Sequence, residues 1–168
     1  MKLDDLSETE YGRVLLSIHE AAHAVMGVLA GAEIGSCVAS AAGGRVDLYG
    51  EDPQRAAGIA WAGPFAELLF VHGDHPPEDA VRQAFAEASP EDRALMDGGR
   101  YRAAESDIRF AMPAIRRLAL RLHKRGSARN LDVHRALGVR PGVDIGTVRW
   151  AYRQRIDPAA ITPAGAAA

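Results

Sequence analysis

His19-Glu20-Ala21-Ala22-His23 places two imidazoles four residues apart, with a carboxylate beside the first. On a helix, residues i and i+4 share a face about one turn apart, so both rings can reach a single ion. Glu20 projects to the side, close enough to hold a water carried by that ion. Zinc lowers the pKa of such a water towards about 7, and the glutamate takes its proton as the oxygen attacks a carbonyl. The pattern therefore points to metal-assisted hydrolysis, and two histidines with a carboxylate also suit other divalent ions. Cys37 is the one cysteine, which excludes both an intrachain disulfide and a cysteine-rich zinc site.

A catalytic zinc has three protein ligands and an open position. Met26 and Leu29 stand three and six residues after His23, where a metzincin carries glycine and histidine, so that arrangement is excluded. Glu67, His72, Asp74, His75, Asp107, His123 and His134 are the candidates for the third ligand.

The motif needs a helix beneath it. Ser7-Glu8-Thr9-Glu10 fits a capping box. Tyr11, Val14, Leu15, Ile18, Ala22, Val25, Met26 and Leu29 then recur with the spacing of one helical face, predicting a helix over about 8–30. His19 and His23 lie beside this apolar stripe, at the border with a neighbouring element. Cys37 to Ser40 and Arg45 to Tyr49 read as two short strands around Ala41-Ala42-Gly43-Gly44. Helices follow over 54–71, with Gly63-Pro64 expected to kink or restart it, over 78–88, and from Ser89 to the Gly98-Gly99 stop. Tyr101 to Arg125 reads as a further long helix, kinked at Pro113, and shorter ones are expected after Asp132 and Asp144. The fold class is mainly α, a compact helical domain with a small β-hairpin next to the motif helix. The Ala- and Pro-rich residues 158–168 read as a disordered tail.

The 168 residues are 48% hydrophobic and 25% charged, the balance of a soluble globular chain. Aromatics are only 6% and alanine is abundant, which favours close helix packing. The longest uncharged apolar stretch, Ala24 to Ala32, is nine residues, against about 20 for a membrane span. The N-terminus lacks an apolar signal core, so no membrane association and a cytoplasmic location are expected. Residues 1–99 carry 6 Lys and Arg against 17 Asp and Glu, a net of −11; residues 100–155 carry 14 against 4, a net of +10. Such a split can mark a polyanion-binding face, but two halves that neutralise each other account for it more simply, and nucleic acid is not the expected partner.

The run from Ser17 to Val25, Ser-Ile-His-Glu-Ala-Ala-His-Ala-Val, resembles the H-E-A-G-H-A motif of the FtsH-type zinc metalloproteases. Ala62 to Val71, Ala-Gly-Pro-Phe-Ala-Glu-Leu-Leu-Phe-Val, is similar to that family's G-G-R-x-A-E-E segment, and Ser106-Asp107-Ile108 to its N-D-[IL] motif. The resemblance covers roughly residues 10–126. It implies that His19, His23 and Asp107 bind zinc, that Glu20 is the base, and that Glu67 lies near the site and orients a histidine. It implies an FtsH-like peptidase domain over 1–126, with 127–157 a helical C-terminal extension. Ala22 replaces the motif's glycine, Arg102 to Ser106 replace the glycine-rich lead-in to the aspartate, and Pro113 is unusual in the helix that follows. No G-x-x-x-x-G-K-[ST] phosphate loop occurs. The activity implied is thus ATP-independent hydrolysis of peptide bonds in flexible or unfolded polypeptides, or hydrolysis alongside an ATPase supplied by another chain. A ring-forming homo-oligomer is a further implication. The alternative is a catalytically silent relative that keeps zinc and serves as a protein- or nucleic-acid-binding module.

Overall fold

A computed structural model describes residues 6–97 and 100–161. The architecture is mainly helical with one small antiparallel sheet. The first helix, α1, spans Glu8–Leu29. Its capping box forms as the sequence predicts: Glu10 N–H donates to Ser7 Oγ at 3.3 Å, and Ser7 N–H donates to Glu10 Oε2 at 3.1 Å. The hairpin β1 (Glu33–Ser40) and β2 (Gly43–Tyr49) follows. Next come α2 (Ala56–His72), α3 (Glu78–Glu87) and α4 (Pro90–Met96). The Gly98-Gly99 stop expected after α4 lies outside the described residues. The long helix α5 spans Glu105–Arg125, and β3 (Ser127–Ala128), α6 (Asn130–Ala136) and α7 (Ile145–Arg153) complete the chain order.

Several boundaries differ from the sequence expectation for local physical reasons. Arg100–Ala104 form a 3-10 segment, so the α-helix expected from Tyr101 begins at Glu105. Neither α2 nor α5 restarts at its internal proline; Pro64 and Pro113 are each absorbed within one continuous helix. Asp132 does not precede α6 but sits in its first turn, where its carboxylate accepts from Arg129 N–H at 3.0 Å. The two residues of β3 are too few to show any periodicity, and they turn the expected hairpin into a three-stranded sheet of order β2-β1-β3. Of the tail expected to be disordered, Pro158–Ala160 make a 3-10 turn, and 162–168 lie outside the described residues.

α1 is the central element, packed on α2, α5 and the hairpin. Its buried face is built from small side chains, with Ala21, Ala22, Ala24 and Val25 fully enclosed. The bulk of the core comes from its partners: Trp61 and Phe65 on α2, and Ile108, Ile115, Leu118 and Leu122 on α5. Small residues on one side and large ones on the other let the axes approach closely without voids. No described helix is long and apolar enough to cross a membrane. α1 has no basic residue in its last turn. Arg149 of α7 serves there instead, its guanidinium donating to the Val28 carbonyl at 2.7 Å and to that of Ala32 at 3.4 Å, where cations favour a helix C-terminus.

Candidate metal centre

α1 presents His19 and His23 towards α2, their ring centroids 4.7 Å apart. Each ring is held through Nδ1. His19 Nδ1 lies 2.8 Å from Glu67 Oε1, and His23 Nδ1 lies 2.8 Å from the Ile59 carbonyl oxygen. A carbonyl can only accept, so His23 carries its proton on Nδ1 and leaves the Nε2 lone pair free. The Glu67 carboxylate, two turns further along α2, orders His19 the same way. Both orienting groups come from α2, one from its first turn and one from its last half.

The two Nε2 atoms point at Gly63. A Cβ placed on Gly63 would lie 2.5 Å from His23 Nε2 and 2.6 Å from His19 Nε2. The absence of a side chain there leaves a small space between two imidazole lone pairs. Asp92 of α4 supplies the third group. One donor atom each from His19, His23 and Asp92 lie within 4.8 Å of one another. Ligands about 2.1 Å from a tetrahedral ion are roughly 3.4 Å apart, so this grouping fits a small divalent cation. Asp92 Oδ2 accepts from Ser89 Oγ at 2.9 Å, which steadies the carboxylate.

Glu20 is 6% exposed, although it is a carboxylate. It lies beneath β2, where a Cβ on Gly44 would sit 2.1 Å from Glu20 Oε1. Burial pushes its carboxyl up to about 7; His19 opposes the shift, and Asp92 and Glu67 add to it. Burial likewise drives His23 down to about 4, helped by the positive character of His19. For His19, burial opposes the charged form, but the hydrogen bond and charge of Glu67 outweigh it and raise the pKa. Metal binding by His19 therefore displaces a proton and weakens in acid. Cys37, beside the site, takes no part: its thiol donates to the Glu20 carbonyl at 3.7 Å, and burial pushes its pKa up to about 12.

The structure thus brings together His19, Glu20, His23 and Glu67, and adds Asp92. It does not bring Asp107 to them. The Asp107 carboxylate accepts from Arg155 Nη2 at 2.5 Å and lies 4.0 Å from Arg55 Nη1, held in the first turn of α5 by these cations. The expectation placed Asp107 with the two histidines; in the structure Asp92 stands there instead. His72 and His75 are exposed at and beyond the end of α2, and His123 and His134 sit on α5 and α6. None of them groups with the pair among the described residues.

Asp92 escaped the sequence reading because a complete structural explanation already covered it. Ser89-Pro90-Glu91-Asp92 is a helix start, and Asp92 N–H does donate to Ser89 Oγ at 3.0 Å. Its backbone performs that role while its carboxylate serves another. The usable signal was its place between Glu67 and Asp107, in a short helix anchored by the fully buried Met96.

A cavity of about 360 Å³ opens beside His19 and Glu67. Leu15, Pro64, Leu68 and Val71 form its apolar wall, with Ala80 and Ala84 of α3 opposite. Glu67→Gln is expected to weaken metal binding about 10–100-fold, since the amide holds His19 less firmly and no longer balances its charge; competition with a chromogenic chelator reads this directly. No family model matches the chain, nor does any curated protein or solved structure.

Proposed function

We propose that this chain is a zinc-dependent endopeptidase that acts on flexible or unfolded polypeptide, in keeping with its FtsH-type resemblance. The observation that carries the reading is the convergence of two oriented imidazoles and Asp92 on one small space beside the buried Glu20. A zinc ion held by His19, His23 and Asp92 would supply Lewis acidity, polarising the scissile carbonyl and acidifying water.

The chain's own groups do the rest. Glu67 and the Ile59 carbonyl hold the imidazoles in the tautomer that binds. Glu20 Oε accepts a proton from the attacking water and returns it to the departing amine nitrogen, so the products are a free acid and a free amine. The wall of β2 over Glu20 keeps bulk water from that carboxylate. β2 is the sheet's edge strand, bonded to β1 on one side only among the described residues. An extended peptide laid along its free edge would gain main-chain hydrogen bonds that a folded protein cannot offer. The apolar cavity beside His19 suits one substrate side chain. An ATPase from another chain and a homo-oligomeric ring belong to the same reading.

Metal analysis of two variants tests the ligand set. Purified full-length protein is expected to carry about one zinc per chain and to cleave casein. Asp92→Asn is expected to bind zinc at least about tenfold more weakly, through loss of a charged ligand, whereas Asp107→Asn retains it. The reverse order would overturn the assignment. Zinc retained without cleavage of casein under any condition would leave a metal-binding module in place of an enzyme.

A further inference from the structure

A second cavity, of about 350 Å³, is lined by neither His19, His23, Asp92, Glu20 nor Glu67, although it shares Ile59 with the histidine site. It lies where the C-terminal end of α1, the start of α2, the start of α5 and the end of α7 meet. Four arginines line it: Arg55, Arg149, Arg153 and Arg155. Two carboxylates answer them, Asp52 and Asp107. Gathering four like charges around so small a space is unfavourable unless something negative is held there.

The internal partners only partly meet that demand. Arg149 is committed to the end of α1. Arg155 is clasped by Asp107 and by Ser106 Oγ at 3.0 Å, with its guanidinium 5.2 Å over the Phe110 ring. It is also the one non-glycine residue with positive φ among the described residues, at 58°. That conformation closes α7: Ile156 N–H donates to the Ala151 carbonyl at 2.9 Å and Arg155 N–H to that of Tyr152 at 3.1 Å, the left-handed cap of a helix C-terminus. Asp52 Oδ1 is already taken by Gln54 N–H at 3.0 Å. Among the described residues Arg55 has only the distant edge of Asp107, at 4.0 Å, and Arg153, on the exposed face of α7, pairs with no carboxylate. The floor is apolar, with Met26, Leu29 and Ile59 beneath the charges.

We infer that this cleft binds a small phosphate monoester with an apolar body. The surplus of two cations matches a phosphate dianion, and guanidinium forks fit its oxygens in pairs, better than they fit a single carboxylate. The volume falls in the range of small-ligand sites, and the apolar floor takes the organic part. The inference does not depend on the proposed peptidase activity. It gives Asp107 a positioning role: the carboxylate sets Arg155 across the mouth of the cleft.

Calorimetric titration of the full chain with phenyl phosphate, inorganic phosphate and benzoate tests it. Phenyl phosphate is expected to bind saturably and at least about tenfold more tightly than either of the others, because each lacks one half of the recognised chemistry. Arg153→Ala and Arg55→Ala, both at exposed positions, are each expected to weaken phenyl phosphate binding about tenfold or more, while Arg116→Ala on the outer face of α5 leaves it unchanged. Zinc content and the thermal melt confirm that each variant is folded. Absence of saturable binding, benzoate binding as tightly as phenyl phosphate, or full affinity in both cleft variants would overturn the inference.

Discussion

Glu20→Gln is expected to keep the metal, to lose casein hydrolysis by about 10²–10⁴-fold, and to make the metal-free protein more stable in mild alkali. The first two effects follow from the division of labour at the site. In the proposed reading His19, His23 and Asp92 hold the metal, and proton transfer falls to Glu20. An amide of the same shape cannot accept the proton. The third effect follows from burial. The Glu20 carboxyl is raised to about 7 from 4.5, so between those values the folded protein keeps a proton that the unfolded chain has released. Stability of the metal-free protein therefore falls as pH rises through this window and stays lower above it, by about 3 kcal/mol. Glutamine has no charge to bury. At pH 8 the metal-free variant should out-melt the metal-free wild type, and at pH 4 the two should converge. Unchanged hydrolysis would remove Glu20 from the chemistry; identical pH-stability curves would show that its carboxylate is not buried.

Gly63→Ala is expected to abolish high-affinity metal binding, with a loss of about 100-fold or more, although it adds a single methyl group. The new Cβ would stand 2.5 Å and 2.6 Å from the two Nε2 atoms, closer than carbon and nitrogen can approach. Both rings are pinned at Nδ1, so neither can swing away without breaking a 2.8 Å hydrogen bond. α2 must withdraw or the imidazoles must part, and either movement takes the ligand atoms off the ion. Stability responds much less. Alanine gains about 1 kcal/mol in a helix interior, and overpacking costs about 1–3 kcal/mol. The melt should drop by a small amount while metal affinity collapses. Gly12→Ala on α1 is the control: nothing lies within 4 Å of its new Cβ, so the same substitution should raise the melting temperature and spare the metal. Tight zinc binding by Gly63→Ala would mean that the imidazoles do not face α2 as described.

The helix under the motif was legible because several signals agree on it. A capping box, a continuous apolar stripe and two histidines at its border all fix the same element and the same face. Glu67 stood among the candidate ligands, but its orienting role was legible only through the FtsH-type resemblance; nothing in its spacing separates it from a surface carboxylate. Asp92 and Asp107 show why the third ligand was not. Both are aspartates in the first turn of a helix, where the dipole favours negative charge. Which one reaches the histidines depends on how α4 and α5 dock, and tertiary packing of that kind leaves no periodicity in either segment. The arginine cleft is similar, since its cations come from residues as far apart as 55 and 155. Across the charge split, Arg102 of the basic half pairs with Glu78 of the acidic half at 2.9 Å.

The hand that Arg149 extends to the Val28 carbonyl joins residues 121 positions apart. Growing from the ribosome, the chain lays down its motif helix well before α7, yet the carbonyls at that helix's end wait for the later guanidinium. β1 waits in the same way for Ser127 and Ala128 to close its second edge. The motif helix is thus finished only once α7 and β3 have been made, which ties completion of the candidate metal centre to contacts from more than a hundred residues downstream.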